Sequence, residues 1–444
     1  YEKVLPLTAM QRDLYLATVM DPSTIQNSLG YAVEIHSKLD KELWKQELQR
    51  FVDSQSILRT EIIDANLPYT DVAYQCVLKH KEVEIEEIDL TTHAPTEDEL
   101  EELIENHIYR RYDPNDKYYV HNALIKLAED HYITILATHH MLLDGVGFAQ
   151  QLLTVTKNYE LVLNKQNPEL SEDIFADFIE YDLRETDKAE VVERWKERLK
   201  DVEPLNIKHS SSKQGSSKQI SSKNHHNKQS SRIAKSIQLS DEHFTDIKKY
   251  CRKQKITPAH YFKTLYGLMI NLYCNAENDF KISEFTAGRP KGHQNGTGCY
   301  YQVLPYIFRQ EQLDPKKPIS GLFSYAREYQ KEIRNDQQLS IFKQRQLSPD
   351  GNVGFMYNYI HFYPRLEFLG KEEFIQQLIP DAEGQVQLAV KVVDDVLNIY
   401  LDYQSTLFGE DKFLERLESL STQILKGTER LADLKYITAE EETE

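Results

Sequence analysis

The sequence predicts a mixed α/β protein built as two lobes. The chain has 444 residues, too many for one small core, and lobes of about 150–250 residues are ordinary. Hydrophobic residues make up 40%, enough to fill such cores. Short strand-like runs and amphipathic helical stretches follow one another along the whole chain. The pattern breaks at Asn164-Lys165-Gln166-Asn167-Pro168, which sets the expected lobes at residues 1–170 and 171–444.

In the first lobe, Pro6 and Thr8 mark the start of a helix from Ala9 to Thr18. Tyr31 to His36 reads as a strand. Asp40 caps a helix through Asp53, with Leu43, Trp44, Leu48, Phe51 and Val52 on one face. Val72 to His80 and Val83 to Ile88 read as strands. Thr96 and Glu99 form a capping box for a helix reaching about Arg111. Tyr118 to Leu127 and His131 to Thr138 are extended runs joined at Ala128-Glu129-Asp130, a hairpin. A helical pattern runs from Val146 to Leu163.

In the second lobe, helices are expected from Ala189 to Leu199, from Ser240 to Gln254 and from Pro258 through Asn275. Phe280 to Thr286 reads as a buried strand, and Asn352 to Phe362 contains another. Val386 to Lys391 and Leu397 to Asp402 form a second hairpin around Asp394-Asp395. Phe413, Leu417, Leu420 and Ile424 stripe a last helix. His209 to Arg232 is Ser, Lys, Gln, Asn and His with almost no apolar residue. It is expected to be a mobile polar loop, and its basic charge suits at most an acidic docking partner.

Composition excludes several classes. Net charge is −18, which argues against a general nucleic-acid surface. Cys76, Cys251, Cys274 and Cys299 lack disulfide-framework or zinc-ligand spacing, so no metal and a reducing cytoplasmic setting are expected. No apolar run reaches membrane-spanning length and no signal peptide opens the chain. The start at Tyr1 suggests a piece of a longer protein.

The chemistry concentrates at Ala137-Thr138-His139-His140-Met141-Leu142-Leu143-Asp144-Gly145-Val146-Gly147-Phe148, between a strand and a helix. A strand end holds a side chain rigidly, and histidine titrates near neutrality and can accept a proton. The plain alternative is a turn with two surface histidines and an Asp helix cap. Read as HHxxxDG, the stretch resembles the active-site motif of nonribosomal peptide synthetase condensation domains, of the chloramphenicol-acetyltransferase-like superfamily. Further segments resemble that family's motifs in order. Leu7 to Tyr15 resembles the opening motif. Leu58-Arg59-Thr60 keeps part of RHExLRTxF. Phe175 to Tyr181 resembles YxDFAxW. Gly288-Arg289-Pro290, then Gly298 to Pro305, resemble the GRP segment and GxFVNTLPxR, with Gln302-Val303 in place of Asn-Thr. Phe355 to Tyr359 resembles a strand near the tunnel. Ile437 to Glu441 resembles the linker toward a following adenylation domain.

The resemblance implies two chloramphenicol-acetyltransferase-like lobes in a V-shaped pseudo-dimer with an active-site tunnel. It implies amide formation between a donor acyl thioester and an acceptor amine, each on the 4'-phosphopantetheine of a peptidyl carrier protein, with no intrinsic cofactor. Upstream donor and downstream acceptor carriers are the implied partners, and the domain is expected to be monomeric. His140 is the catalytic candidate, acting as base, by positioning, or both. His139 packs or hydrogen-bonds behind it. Asp144 is expected to hold the loop through Arg59, because a buried carboxylate suits a bidentate arginine. The Gly145 amide, at a helix N-terminus, is a candidate oxyanion donor. Gly288, Arg289, Tyr301, Gln302, Tyr357 and Asn358 are the candidate tunnel residues. Three other readings stay open: a coenzyme A-dependent acyltransferase of the same fold, an epimerization domain, and a non-catalytic scaffold that docks carriers.

Overall fold

A computed structural model describes residues 1–64, 73–113, 116, 119–205, 232–348, 354–361, 366–373, 375–378, 386–393, 395–404, 412–438 and 441. The first part of the chain runs β1 (Lys3–Pro6), α1 (Ala9–Met20), β2 (Ser28–Ile35), α2 (Lys41–Ser54), β3 (Thr60–Asp64), β4 (Ala73–Val77), β5 (Glu86–Asp89), α3 (Glu97–Ile108), β6 (Val120–Ala128), β7 (His131–His139), α4 (Gly145–Leu163) and α5 (Phe175–Glu185). Thr8 with Gln11 and Thr96 with Glu99 form capping boxes at α1 and α3, and the Asp40 side chain caps α2. Each supplies an acceptor to an amide that has no partner within its helix.

The chain continues through α6 (Ala189–Leu199), β8 (Arg232–Leu239), α7 (Asp241–Gln254), α8 (Pro258–Cys274), β9 (Phe280–Thr286), β10 (Gln302–Phe308), α9 (Ile319–Ile333), α10 (Ile341–Leu347), β11 (Phe355–Ile360), β12 (Leu366–Phe368), β13 (Lys371–Glu373), β14 (Ile375–Leu378), β15 (Val386–Val393), β16 (Val396–Gln404) and α11 (Phe413–Leu425). The mixed helix-and-sheet class is as expected. The polar segment 209–232 lies outside the described residues, apart from Arg232 at the start of β8.

Two units form. The first holds Tyr1–Thr186, Ala287–Tyr301 and strands β12 to β14. Its five-stranded sheet has the order β14-β2-β7-β6-β5, and β1, β4 and β3 make a smaller sheet. Ile104 and Ile108 of α3 pack on Ala32, Ile125, Ile133, Ile135 and Ala137 of the larger sheet. The second unit has a six-stranded sheet, β10-β9-β11-β15-β16-β8. Its core takes nearly the whole buried length of α8 and the Phe413, Leu417, Leu420 and Ile424 stripe of α11. Lys263, 1% exposed, pairs there with Glu284 at 2.8 Å.

The expected boundary at 170/171 is corrected. The break at Asn164–Pro168 is a turn inside the first unit, where Lys165 takes φ 59° and Gln166 N donates to Leu161 O. Helix α5 stays with that unit because Asp182, 1% exposed, accepts from Ala9 N at 2.8 Å. Later segments return to it because strand pairing ignores sequence distance. β14 adds to β2 in antiparallel register, Ile375 opposite Val33.

Candidate active site

Strand β7 carries His139 to the sheet end, opposite Ser28 of β2. His139 is fully buried. Its Nδ1 accepts from Met141 N at 3.1 Å, so Nε2 carries the proton toward Thr18 Oγ1 at 2.7 Å. Asn27 Nδ2 also donates to that hydroxyl, which donates to Leu14 O. Tyr112 and Tyr119 pack on the ring at 5.3 and 5.6 Å. Burial, with His140 alongside, pushes its pKa down to about 3. His139 is thus a neutral brace behind His140 with both nitrogens occupied, not a group free to take a proton from substrate.

His140 is half-buried. Its backbone N donates to Asn27 O at 2.7 Å, and Nδ1 lies 3.0 Å from Leu143 O. A carbonyl only accepts, so Nδ1 holds the proton and Nε2 presents a lone pair. The ring stacks on Tyr301 with centroids 4.3 Å apart. Burial lowers its pKa below the ordinary 6.5, offset in part by hydrogen bonding and Asp144. Near neutral pH the imidazole is therefore the free base.

Asp144, 3% exposed, ends the turn as the N-cap of α4. Its Oδ1 accepts from Gly147 N at 2.9 Å, and Oδ2 from Tyr300 N at 3.0 Å. Arg289 grips both oxygens at 2.7 Å, Nη1 to Oδ2 and Nη2 to Oδ1. The expected Arg59–Asp144 pair is therefore corrected. Arg59 instead donates to Glu2 Oε2 at 3.0 Å and to Leu78 O. Both arginines sit in motif-like segments, and only the fold decides which one reaches the carboxylate.

The segment before β10 builds the floor of this site. Gly288 has φ 60°, which aims Arg289 inward. Gly298 O accepts from Asp144 N at 3.0 Å. A Cβ on Gly298 would meet the Phe175 ring at 2.2 Å, so only glycine lets the two approach. Tyr300 packs against Phe178 at 4.3 Å and Phe175 at 5.3 Å, and Arg289 lies over its ring at 4.5 Å. Tyr181 continues the cluster, 6.3 Å from Phe178. From α1, Gln11 Nε2 donates to Met141 O at 2.9 Å while pairing with Gln75. Gly145 is the first residue of α4, where amides have no intrahelical partner.

Gln302, Tyr357 and Asn358 belong to the second unit. Gln302 is 2% exposed at the start of β10. Tyr357 is fully buried in that unit's core, and its hydroxyl donates to Ala259 O at 2.8 Å. Its expected place on a tunnel wall is corrected, because period-two alternation on β11 turns it inward with Phe355. Asn358, on the opposite phase, is half-buried. Sequence reasoning missed Thr18, Asn27 and Gln11 as supports. The available signal was a polar residue at otherwise apolar positions in or beside α1.

The arrangement is a neutral, oriented imidazole beside a helix N-terminus, on a turn fixed by a buried ion pair. Comparison with known proteins gives the family. The family model described as Condensation domain matches residues 1–444. A linear gramicidin synthase from Brevibacillus parabrevis is 23% identical over 96% of this chain, which spans 8% of that protein. Gramicidin S synthase 2 from Brevibacillus brevis is 23% identical over 93% of the chain, spanning 9% of the relative. The chain thus spans less than a tenth of the length of these curated relatives. Among solved structures, the first condensation domain of the calcium-dependent antibiotic synthetase, in complex with a substrate analogue, superposes with TM-score 0.79 at 15% identity. That match covers 98% of this chain and 100% of the other. The starter condensation domain of rhizomide synthetase gives 0.76 at 16% identity, covering 98% and 100%.

Proposed function

This chain belongs to the condensation-domain family, acyltransferases that form amide bonds in nonribosomal peptide synthesis, and from that premise we propose which substrates it joins and how. The donor is an acyl or peptidyl thioester, and the acceptor is an aminoacyl group with a free amine. Each is held on the 4'-phosphopantetheine arm of a peptidyl carrier protein. The observation that carries this reading is His140, held by Leu143 O with a basic Nε2.

In the proposed step the amine nitrogen attacks the thioester carbonyl. The C–N bond forms, the C–S bond breaks, and the amine proton passes to His140 Nε2 and on to the departing thiolate. The thioester is already activated, so no covalent enzyme intermediate is needed. A placed base contributes about 10²–10⁴-fold, and holding two tethered reactants together contributes more, with effective molarities of about 10⁵ M or above. The amides of Gly145 and Val146 in the first turn of α4, which have no partner within the helix, supply donors to the developing oxyanion. Tyr301 stacks on His140 and sets its ring plane. Asp144 and Arg289 act through the turn rather than on substrate, since Asp144's oxygens already receive four hydrogen bonds.

The partners we propose are an upstream donor carrier and a downstream acceptor carrier, with an adenylation domain following. For that last neighbour the support is the resemblance of Ile437-Thr438-Ala439-Glu440-Glu441 to the linker toward such a domain. We place the domain in the cytoplasm as a monomer. No helix among the described residues is long and apolar enough to cross a membrane.

The test is intact-mass analysis of loaded donor and acceptor carriers incubated with the domain. Condensed product on the acceptor arm is expected. His140→Ala should slow it by about 10²-fold or more with the unfolding midpoint unchanged. Equal turnover in that variant would sink the reading. Turnover of free coenzyme A thioesters, with none from loaded carriers, would favour the coenzyme A-dependent alternative.

A further inference from the structure

Away from the HHxxxDG turn, three side chains of the first unit converge without a use. They are His107 at the end of α3, His121 on β6 and Glu86 on β5. His107 Nε2 lies 3.8 Å, and His121 Nε2 3.6 Å, from Glu86 Oε2. The three ligand atoms all lie within 4.8 Å of one another. Both distances are too long for hydrogen bonds. The two Nε2 atoms are buried and have no hydrogen-bond partner among the described residues. Buried polar nitrogens are normally satisfied; here two stand side by side, with rings 5.4 Å apart at 71°. We propose that Glu86, His107 and His121 bind one divalent transition-metal ion, zinc by preference, which ties α3 to the sheet edge.

The donor chemistry fits. Two neutral imidazoles and a carboxylate suit zinc, whereas magnesium and calcium favour oxygen donors. Zn–N bonds of about 2.0–2.1 Å in a tetrahedron put ligand atoms roughly 3.3 Å apart; the two carboxylate-to-imidazole spacings, 3.8 and 3.6 Å, need only a small rotation of the exposed Glu86 side chain to reach it. Burial, and then the charge of Arg110, lowers the His121 pKa to about 4, and burial also lowers that of His107. Arg110 repels a cation as well, and limits the affinity. Glu86, with its side chain 54% exposed, offers an entry path and leaves room for a water as fourth ligand.

A second triad, Glu34, His36 and His131, has the same residue types. It differs in being satisfied. His36 Nδ1 lies 2.8 Å from Glu373 Oε2, and His131 Nε2 lies 2.6 Å from Glu34 Oε1. It serves as the internal control. The consequence of metal at the first triad is local stiffness behind the catalytic strand. His121 pairs with Ala137 of β7. Two residues before His121, just ahead of β6, Tyr119 O accepts from His139 N at 3.2 Å and from Thr138 Oγ1 at 2.8 Å.

The whole chain, stripped with chelator and dialysed, is titrated with zinc chloride by calorimetry and by thermal unfolding. We expect one zinc per chain, a rise in unfolding midpoint of at least about 2 °C, and with cobalt the visible absorption of a tetrahedral site. His107→Ala and His121→Ala should each weaken zinc binding more than about tenfold, while His36→Ala leaves it intact. Because the histidines are buried, Glu86→Gln is the deciding variant. Without zinc its midpoint should equal the parent's, and its response to zinc should fall. Absence of zinc binding, an undiminished response in Glu86→Gln, or loss of binding in His36→Ala would each overturn the site.

Discussion

Asp144 shows how one side chain organises a reactive neighbour without touching substrate. Its carboxylate is buried, and a buried charge persists only when paired and hydrogen-bonded. Arg289 supplies two charge-assisted bonds and Tyr300 N a third, while Gly147 N completes the helix cap. Removing Arg289 leaves the carboxylate stranded, so Arg289→Ala should cost about 3–5 kcal/mol and take amide formation with it. Arg289→Lys keeps the charge but not the fork, and falls in between. Arg59→Ala should cost only about 1–2 kcal/mol, since its acidic partner Glu2 has a side chain 44% exposed. Urea unfolding of the three variants checks the order, and equal losses for Arg59→Ala and Arg289→Ala would contradict it. A double-mutant cycle with Asp144→Asn should give coupling to Arg289 and none to Arg59. The sequence displayed both arginines in motif-like surroundings, and 145 positions separate Arg289 from Asp144. Local pattern carries no signal over that distance, nor over the one from Arg59 to Asp144, so motif-like context alone could not choose between the two arginines. His140 was legible, because HHxxxDG is a local pattern and its carbonyl clamp, Leu143, lies three residues on.

At the scale of elements, the strand-turn-helix of β7 and α4 is held from several directions at once. Gln11 of α1 takes Met141 O, Asn27 O before β2 takes His140 N, and the Gly298 segment takes Asp144 N. The helices themselves were readable, since Thr8, Asp40 and Thr96 cap as their residue types predict. The Gly298 contact was not, since its need for glycine comes from the Phe175 ring of α5. A Cβ there would sit 2.2 Å from that ring. Gly298→Ala should therefore destabilise by roughly 1–3 kcal/mol through overpacking. It should also slow turnover, because the shift passes to Asp144 through its bond to Gly298 O. Phe175→Leu, which shortens the obstructing side chain, should restore part of both losses in the double variant. Thermal unfolding and carrier-loaded turnover of the two single variants and the double measure this. Strictly additive losses would show that the contact with Phe175 is not the cause.

On the scale of the molecule, the first unit is assembled from stretches far apart in the chain. Its contiguous part, Tyr1–Thr186, contains His140 and Asp144 but not Arg289, Tyr300 or β14. Sequence patterning finds where elements start and stop, and it finds breaks such as Asn164–Pro168. It does not reveal that a strand from beyond residue 370 closes a sheet begun near residue 30. A fragment of residues 1–186 therefore carries specific deficits. Asp144 would lose Arg289, at about 3–5 kcal/mol. β2 would lose the β14 partner that covers its outer edge, and an uncovered edge invites association. Trp44 and Tyr159 would lose the Phe368 ring, at 5.9 and 5.3 Å, an aromatic deletion of about 3–5 kcal/mol. Against a total stability of about 5–15 kcal/mol for a domain, these losses are decisive. The fragment should show helical far-ultraviolet dichroism without a near-ultraviolet signal, and no cooperative thermal transition. Adding residues 287–301 and 366–378 through designed linkers should restore one. A sharp transition in the bare fragment would mean that the contiguous half folds by itself, and that the returning segments decorate the catalytic unit rather than complete it.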